Sequence, residues 1–402
     1  MSSPLGIVAS LLVVLTIVGF ATHDEPAAPA RSLSLELIAR RVEALRGVRF
    51  RSIPDPVTVT PAQARQEGLD DLDRGYPAAR WRADEALYVT LGLLPEGTDL
   101  REISASMFGE QVAGYYDPRN GRLRIVEGAA GTGNRVVDEM VLAHELTHAL
   151  EDQAFGFELP ALEASDDAGY ARRALVEGTA TALMYDYVEE FFGSEEALGG
   201  LLSSAFGISS TAAMPRFVLE GATFPYVQGN LFVQSLHERA GGTWRLVDVA
   251  LKARPPLSTE QVLHPEKWLR VELPERLAVP GVGEALGAGW ERTAAGVFGE
   301  WQTGQLIAEG GPRVPEASAG WGGDRYELWQ RGAESMVAMR WAWDTLRDAK
   351  EFEPAARMAL EESLERDFAL SRRGRTTTLV VGADAARVLR AIPPVALADS
   401  RP

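Results

Sequence analysis

The spacing of two histidines constrains this chain more than any other feature of its sequence. His144 and His148 lie four residues apart, and apolar residues such as Val137 and Val141 precede them at helical intervals. This period predicts an amphipathic helix over residues 135–153. Residues four apart lie on the same face of a helix, so both imidazoles can bind one metal ion from the same side.

Glu145 completes the pattern HExxH. It lies one position further round the predicted helix, where it can reach a water molecule on the metal but is poorly placed to be a ligand. In zinc hydrolases the glutamate of this pattern acts as the general base. The alternative is a helix with two incidental histidines. Because the chain has only five histidines and this pair has a helical context, we favour the metal site.

A catalytic zinc site uses three protein ligands, so one more is needed. Glu177 is the best candidate, because it belongs to a second predicted helix over residues 168–192 and has alanine, leucine and valine as neighbours. A carboxylate on so apolar a helix needs a partner, since burying an unpaired charge is costly. The alternatives are an arginine as partner of Glu177 or another histidine as ligand: Arg172, Arg173, His237 and His264.

The longer metzincin pattern requires a glycine and a third histidine where this chain has Glu151 and Ala154, so that class is excluded. HExxH followed by Glu177-Gly178 resembles the gluzincin group of zinc metallopeptidases. Five stretches are more narrowly similar to a family of exported bacterial and archaeal surface proteins regarded as metallopeptidases: residues 112–118, 144–153, 177–178, 263–267 and 320–326.

This resemblance implies that His144, His148 and Glu177 bind Zn²⁺ and that Glu145 is the catalytic base. It leaves the substrate open. Many gluzincins have an aspartate where this chain has Thr181. Ligand histidines are usually held by a hydrogen-bond acceptor on their second nitrogen. That acceptor must therefore come from elsewhere, and the alternatives are a backbone carbonyl or a nearby carboxylate, Asp186.

The expected reaction is zinc-dependent hydrolysis of a peptide bond in a peptide or protein substrate. Zinc lowers the pKa of water toward ~7 and polarises the scissile carbonyl, and Glu145 passes the proton to the leaving amine. A further donor should stabilise the oxyanion. We favour His264, which ends a capped turn, although it equally suits a structural role at a helix terminus. The other candidate donors are Tyr115, Tyr116, Tyr226 and His237.

The N-terminus predicts export. Residues 1–21 are apolar and read as a signal peptide or signal anchor, with cleavage sites after Ala21 or Ala30. Residues 22–32 are rich in alanine and proline and predict a linker. We therefore expect a protein that is extracellular, periplasmic or anchored in the membrane at the cell surface.

Charge and composition restrict the classes of binding partner. The formal net charge of −17 argues against binding to nucleic acid or to an anionic membrane surface. The absence of cysteine excludes disulfides and a cysteine nucleophile. The different-class alternative to an enzyme is a non-catalytic surface or binding protein that retains a zincin-like scaffold.

The order of predicted elements indicates an α+β protein of two domains. Residues 33–275 predict a mostly helical zincin-like metallopeptidase domain, and residues 276–402 a smaller, tryptophan-rich α+β domain. Within the first, Asn120-Gly121 lies between two β-rich runs and predicts a hairpin. That hairpin either binds an extended substrate as an added strand or is purely structural, and both hypotheses remain open.

Overall fold

The computed structural model describes residues 34–110, 114–127, 135–158, 166–192, 214–308, 315–395 and 397. The predicted signal segment and linker, and a helix expected at residues 195–206, lie outside these residues. Among the helices of the described ranges, none is long and apolar enough to cross a membrane.

The described chain is of the α+β class. Its α-helices are α1 (Leu35–Arg46), α2 (Pro61–Gly75), α3 (Ala78–Thr90), α4 (Leu100–Glu110), α5 (Arg135–Phe155), α6 (Asp167–Phe192), α7 (Arg216–Arg239), α8 (Arg245–Lys252), α9 (Thr259–Leu263), α10 (Pro265–Arg270), α11 (Val282–Leu286), α12 (Gly299–Ile307), α13 (Leu346–Ser363) and α14 (Ala385–Ala391). Its strands are β1 (Pro56–Val59), β2 (Gly114–Asp117), β3 (Arg122–Val126), β4 (Glu291–Gly296), β5 (Trp321–Arg331), β6 (Glu334–Trp343), β7 (Phe368–Arg373) and β8 (Thr376–Val381).

The chain divides into two compact units that do not follow the sequence in two blocks. The first unit contains the described residues of 34–76, 101–165 and 169–256, and the second contains those of 77–100, 166–168 and 257–397. The predicted boundary at residue 275 therefore needs two corrections. The second unit begins at Leu257, and it also includes the early segment Pro77–Leu100.

The first unit combines helices with a small sheet. The strand order is β1-β3-β2, with β1 parallel and β2 antiparallel to β3. The hairpin predicted around Asn120-Gly121 is confirmed, because β2 and β3 pair from Gly114 opposite Ile125 to Asp117 opposite Arg122. The core of this unit joins α1, β3, α5 and α6 through the following buried side chains: Ile38, Ala39, Val42, Leu123, Ala143, Leu146, Leu150, Leu183 and Tyr187.

Both ends of α1 are capped. The Ser34 side chain accepts a hydrogen bond from the backbone N–H of Leu37, which satisfies one of the free donors at the helix start. Gly47 ends the helix in the left-handed conformation that glycine adopts without strain. The caps set where α1 begins and ends. Its last residue, Arg46, lies in the protein interior.

Arg46 is the counter-ion of a buried carboxylate on α5. Its Nε donates to Glu151 Oε1 at 2.7 Å, and both side chains are fully buried. A second nitrogen donates to Asp248 Oδ1 on α8 at 2.6 Å. A buried charge that loses its partner destabilises a protein strongly, so α5 depends on α1 for its stability.

A second arginine of α1, Arg41, contacts the opposite end of α5. Arg41 Nη1 lies 3.1 Å from both Glu139 Oε2 on α5 and the hydroxyl of Tyr187 on α6. The Tyr187 hydroxyl donates to the same Glu139 oxygen at 2.8 Å. These three residues fix α1, α5 and α6 to one another.

The second unit contains a five-stranded antiparallel sheet in the order β4-β5-β6-β8-β7. Side chains alternate between its two faces along each strand. Met336 and Ala338 of β6 contribute to a core with α11 and α14. Trp341 and Trp343 point to the opposite face and pack on Phe352 of α13. The tryptophans of this unit are therefore mostly core residues.

The apolar pattern of the sequence predicts a helix over residues 351–367, but α13 spans Leu346–Ser363, because Thr345 and Asp348 form a capping box at an earlier start. Strands β4 and β7 were not predicted. Both lie at the edges of the sheet.

We expect Arg46→Ala to lower the free energy of unfolding by about 3–5 kcal/mol, because it leaves the Glu151 carboxylate buried without its counter-ion. Arg40 in the same helix is a matched control. Its ion pair with Glu43 is exposed, so Arg40→Ala should cost under ~0.5 kcal/mol. Urea denaturation followed by circular dichroism measures both variants, and equal losses would contradict the role of Arg46.

Candidate metal centre

Two helices of the first unit carry the candidate metal ligands. His144 and His148 lie on α5, and Glu177 lies on α6. Their exposed fractions are 0%, 7% and 2%. Polar groups buried to this extent need partners, and these three face one another.

The ligand atoms form a nearly equilateral triangle. The Nε2 atoms of His144 and His148 are 3.1 Å apart, and Glu177 Oε2 lies 3.4 Å and 3.3 Å from them. Zinc binds such ligands tetrahedrally at 2.0–2.1 Å, which separates any two ligand atoms by about 3.3–3.4 Å. The three atoms thus have the spacing of one face of a zinc tetrahedron.

The chemistry of these atoms also fits a metal ion. Glu177 Oε2 is buried and, among the described residues, accepts no hydrogen bond, although it lies against both imidazoles. An ionised oxygen left in this state is costly unless a cation contacts it. The ion pairs described for Glu177 are with the two histidines, whereas Arg173 lies over the ring of Tyr170. Two imidazole nitrogens and one carboxylate oxygen are a ligand set that zinc favours.

Charge interactions within the cluster are strong. Burial disfavours the ionised form of both His148 and Glu177, but their mutual attraction outweighs it. The pKa of His148 is raised to about 9, and the pKa of Glu177 is lowered to about 2. Burial and the charge on His148 together lower the pKa of His144. Histidine binds metal ions in its neutral form, so a metal ion at this site would replace the proton on His148.

Glu145 points toward β2. Its Oε2 accepts a hydrogen bond from the backbone N–H of Tyr116 at 2.8 Å. Its Oε1 is buried and has no hydrogen-bond partner in the part of the chain that the structure describes. Burial raises the pKa of Glu145 to about 8, and the charge of nearby Glu177 acts in the same direction. The carboxyl group therefore has one oxygen held and one oxygen available.

The second nitrogens of the ligand histidines are not supported as expected. Nδ1 of His144 and Nδ1 of His148 are buried without a hydrogen-bond partner among the described residues. Asp186, which the sequence suggested, and the backbone carbonyls of the described residues are therefore not their acceptors. Burial raises the pKa of Asp186. Thr181 is also buried with an unpaired hydroxyl, one turn after Glu177.

Glycines bring the Glu177 helix into close contact with α7. A Cβ atom on Gly178 would lie 2.2 Å from the backbone carbon of Gly229, and one on Gly229 would lie 2.0 Å from the backbone oxygen of Ala174. The two backbones can approach this closely only because both positions are glycine. Gly178, which follows the candidate ligand Glu177, is therefore fixed by direct backbone packing.

Most of the candidate oxyanion donors have other partners. Tyr115 donates to Glu67 at 2.6 Å, and Tyr116 donates to Asp152 at 2.8 Å. His237 lies on the ring of Trp244, with 5.0 Å between ring centroids. Tyr226 of α7 is the candidate beside a ligand, since its ring centroid is 6.2 Å from that of His144.

His264 belongs to the second unit, between α9 and α10. Its Nε2 lies 2.9 Å from Oε1 of the buried Glu300, and this hydrogen bond raises the pKa of His264. The predicted cap is confirmed, because the Ser258 side chain accepts from the backbone N–H of Gln261. The catalytic role assigned to His264 from the sequence stays a prediction.

The second unit also has a group of three carboxylates, from Glu260, Glu272 and Asp344. The ammonium group of Lys267 contacts all of them, at 2.5 Å from Glu260, at 3.2 Å from Glu272 and at a short distance from Asp344. Lysine thus supplies the positive charge there, and we do not interpret this group as a metal site.

Comparison with known proteins adds one match. Residues 286–392 match the model of a family described as a domain of unknown function, DUF8575. These residues belong to the second unit, whereas the metal cluster belongs to the first. No curated protein matches the sequence significantly.

We expect His148→Ala to abolish stoichiometric zinc binding, because a site with two remaining ligands loses both a bond and its geometry. His237 is in the same unit but outside the cluster, so His237→Ala should retain the metal. Zinc content after dialysis, measured by atomic emission, distinguishes them. Loss of zinc in the His237 variant would place the site elsewhere.

We expect Gly178→Ala to lower the free energy of unfolding by about 1–3 kcal/mol, because the methyl group forces α6 and α7 apart. It should also weaken zinc binding, since Glu177 moves with its helix. Gly304→Ala is the control: its Cβ would meet the Ser318 side chain, at 3.1 Å from the hydroxyl oxygen, and not a backbone atom. Chemical denaturation and zinc titration test both, and a stable Gly178→Ala protein with normal zinc affinity would refute the packing argument.

Proposed function

We propose that this protein hydrolyses peptide bonds with a zinc ion held by His144, His148 and Glu177. The supporting observation is the triangle of ligand atoms at 3.1–3.4 Å, which has the dimensions of a zinc site. Glu145 adjoins this triangle, because it directly follows His144 on α5 and its carboxylate interacts electrostatically with His148. A hydrolytic zinc site requires metal ligands and a nearby carboxylate that can accept a proton.

When bound, zinc supplies Lewis-acid chemistry: it makes water more acidic and polarises the scissile carbonyl. Oε1 of Glu145 accepts the proton of the attacking water, whose oxygen bonds to the carbonyl carbon. When the carbon–nitrogen bond breaks, Glu145 returns that proton to the leaving amine. Its unpaired, buried Oε1 suits this role, while Oε2 stays bonded to the N–H of Tyr116.

A hydrogen-bond donor should stabilise the negative charge that develops on the carbonyl oxygen, an effect of about 3 kcal/mol where such donors have been removed. Within the first unit, Tyr226 is the best candidate, because it is buried and its ring lies beside that of His144.

The cellular context of the proposal rests on the sequence. The apolar segment at residues 1–21 supports export, so peptides or proteins outside the cytoplasm are the proposed substrates. A membrane anchor at this segment is the variant of the same proposal in which the signal is retained. The competing function is a non-catalytic surface protein that binds zinc but cleaves nothing.

We expect the full-length protein to bind about one zinc ion and to cleave unstructured peptides. Glu145→Gln should retain zinc and lose activity by a factor of about 10²–10⁴, because glutamine cannot accept the proton. Glu102→Gln is a control at an exposed ion pair of the same unit. Mass spectrometry of a peptide library measures cleavage.

The outcomes separate the two functions. A folded protein that binds no zinc would refute the metal site and the enzyme together. Zinc binding with no cleavage of any peptide in the library would favour the binding protein. Cleavage that survives in Glu145→Gln would show that another group is the base.

A further inference from the structure

Strand β2 lies at the edge of the small sheet, next to α5, the helix that carries His144 and His148. Within the described residues it pairs with β3 on one side only. In an antiparallel strand, the N–H and C=O groups of one residue point to the same side, and they alternate along the strand. The N–H of Tyr116 donates to Glu145, so this N–H points away from β3 and toward α5.

Tyr116 also contacts α5 through its side chain. Its hydroxyl donates to Asp152 Oδ2 at 2.8 Å, and Asp152 Oδ1 accepts from the backbone N–H of Phe157 at 3.0 Å. Glu145 and Asp152 are two turns apart on the same face of α5, about 10 Å along its axis. One residue of the strand thus bridges two turns of the helix.

Other contacts fix the distance between strand and helix. A Cβ atom on Gly114 would lie 2.9 Å from the Arg124 carbonyl oxygen and 3.9 Å from Glu145 Cγ, so no side chain fits there without a shift. Tyr115 is turned to the other face of the strand, where its hydroxyl and Arg124 both bond to Glu67. The strand is therefore tied down on both faces.

We propose that Tyr116 is a positioning residue for the base Glu145. Its backbone N–H fixes Oε2 and so leaves Oε1 as the oxygen that takes the proton. Its phenol, bonded to Asp152, keeps the strand close enough for that N–H to reach. This inference rests on the proposed peptidase function, and it gives Tyr116 a role different from that of an oxyanion donor.

The role of the hairpin follows from this arrangement. A substrate that adds to the edge of β2 as an extra strand would need the outward N–H groups of that edge. The one on Tyr116 is already used by Glu145. The hairpin therefore serves the catalytic base at this position, and an extended substrate has to bind without the Tyr116 N–H.

The kinetic test uses Tyr116→Phe, which removes the hydroxyl and keeps the ring. Loss of the Asp152 bond should lower kcat about 10- to 100-fold with an unchanged KM and zinc content, because small displacements of a reacting group have effects of this size. Asp152→Ala should give the same loss. Tyr185→Phe, which changes a tyrosine of α6 that packs near Met140, Met184 and Val188, should stay within about 3-fold of the parent protein.

A second variant distinguishes positioning from general destabilisation. In a Glu145→Gln background, adding Tyr116→Phe should not lower the residual rate further, because Tyr116 acts through Glu145. An additional loss of the same size as in the parent protein would overturn the proposal. So would an unchanged kcat in Tyr116→Phe when Glu145→Gln alone is inactive, a result that leaves the proposed function intact.

Hydrogen exchange tests the contact without activity or zinc. In the zinc-free protein, the Tyr116 amide should exchange slowly, and Glu145→Ala should accelerate its exchange at least 10-fold by removing the acceptor. NMR measures this amide, with the Leu123 amide on β3 as an internal reference. Equal protection in both proteins would overturn the contact itself, whereas failure of the peptidase assay alone would refute only the proposed function.

Discussion

Burial of negative charge on α5 is the constraint that organises the first unit. Glu139, Glu145 and Glu151 follow one another at intervals of six residues, and none is more than 2% exposed. Glu139 is held by Arg41 of α1 with Tyr187 of α6, Glu145 by the backbone N–H of Tyr116 on β2, and Glu151 by Arg46 of α1. Because unpaired buried carboxylates are costly, α5 can be buried only when α1, β2 and α6 surround it.

The sequence predicted the local part of the metal centre. The helical spacing of His144 and His148 follows from the geometry of any α-helix. Glu177 was identified because a carboxylate in an apolar helix needs a partner. The contacts that hold these groups were not predictable. Arg46 bonds to a glutamate 105 residues away, and nothing local distinguishes it from the other arginines of α1.

Fold prediction failed where the apolar pattern is weak. Strands β5, β6 and β8 are mostly buried, whereas β4 has three exposed residues at its start. Edge strands of a sheet are commonly polar, so they lack the pattern that reveals inner strands. The two-domain boundary was misplaced for a different reason, since composition along a chain does not reveal that Pro77–Leu100 joins a unit formed mainly after residue 257.

The ion pairs of Arg46 also bear on the order of events during synthesis. The first helix leaves the ribosome early, but Asp248, one of the two carboxylates that bind its last residue, is 202 residues further along. The nascent chain therefore cannot complete this charge network until most of the protein has been made. Long-range contacts of this kind delay folding.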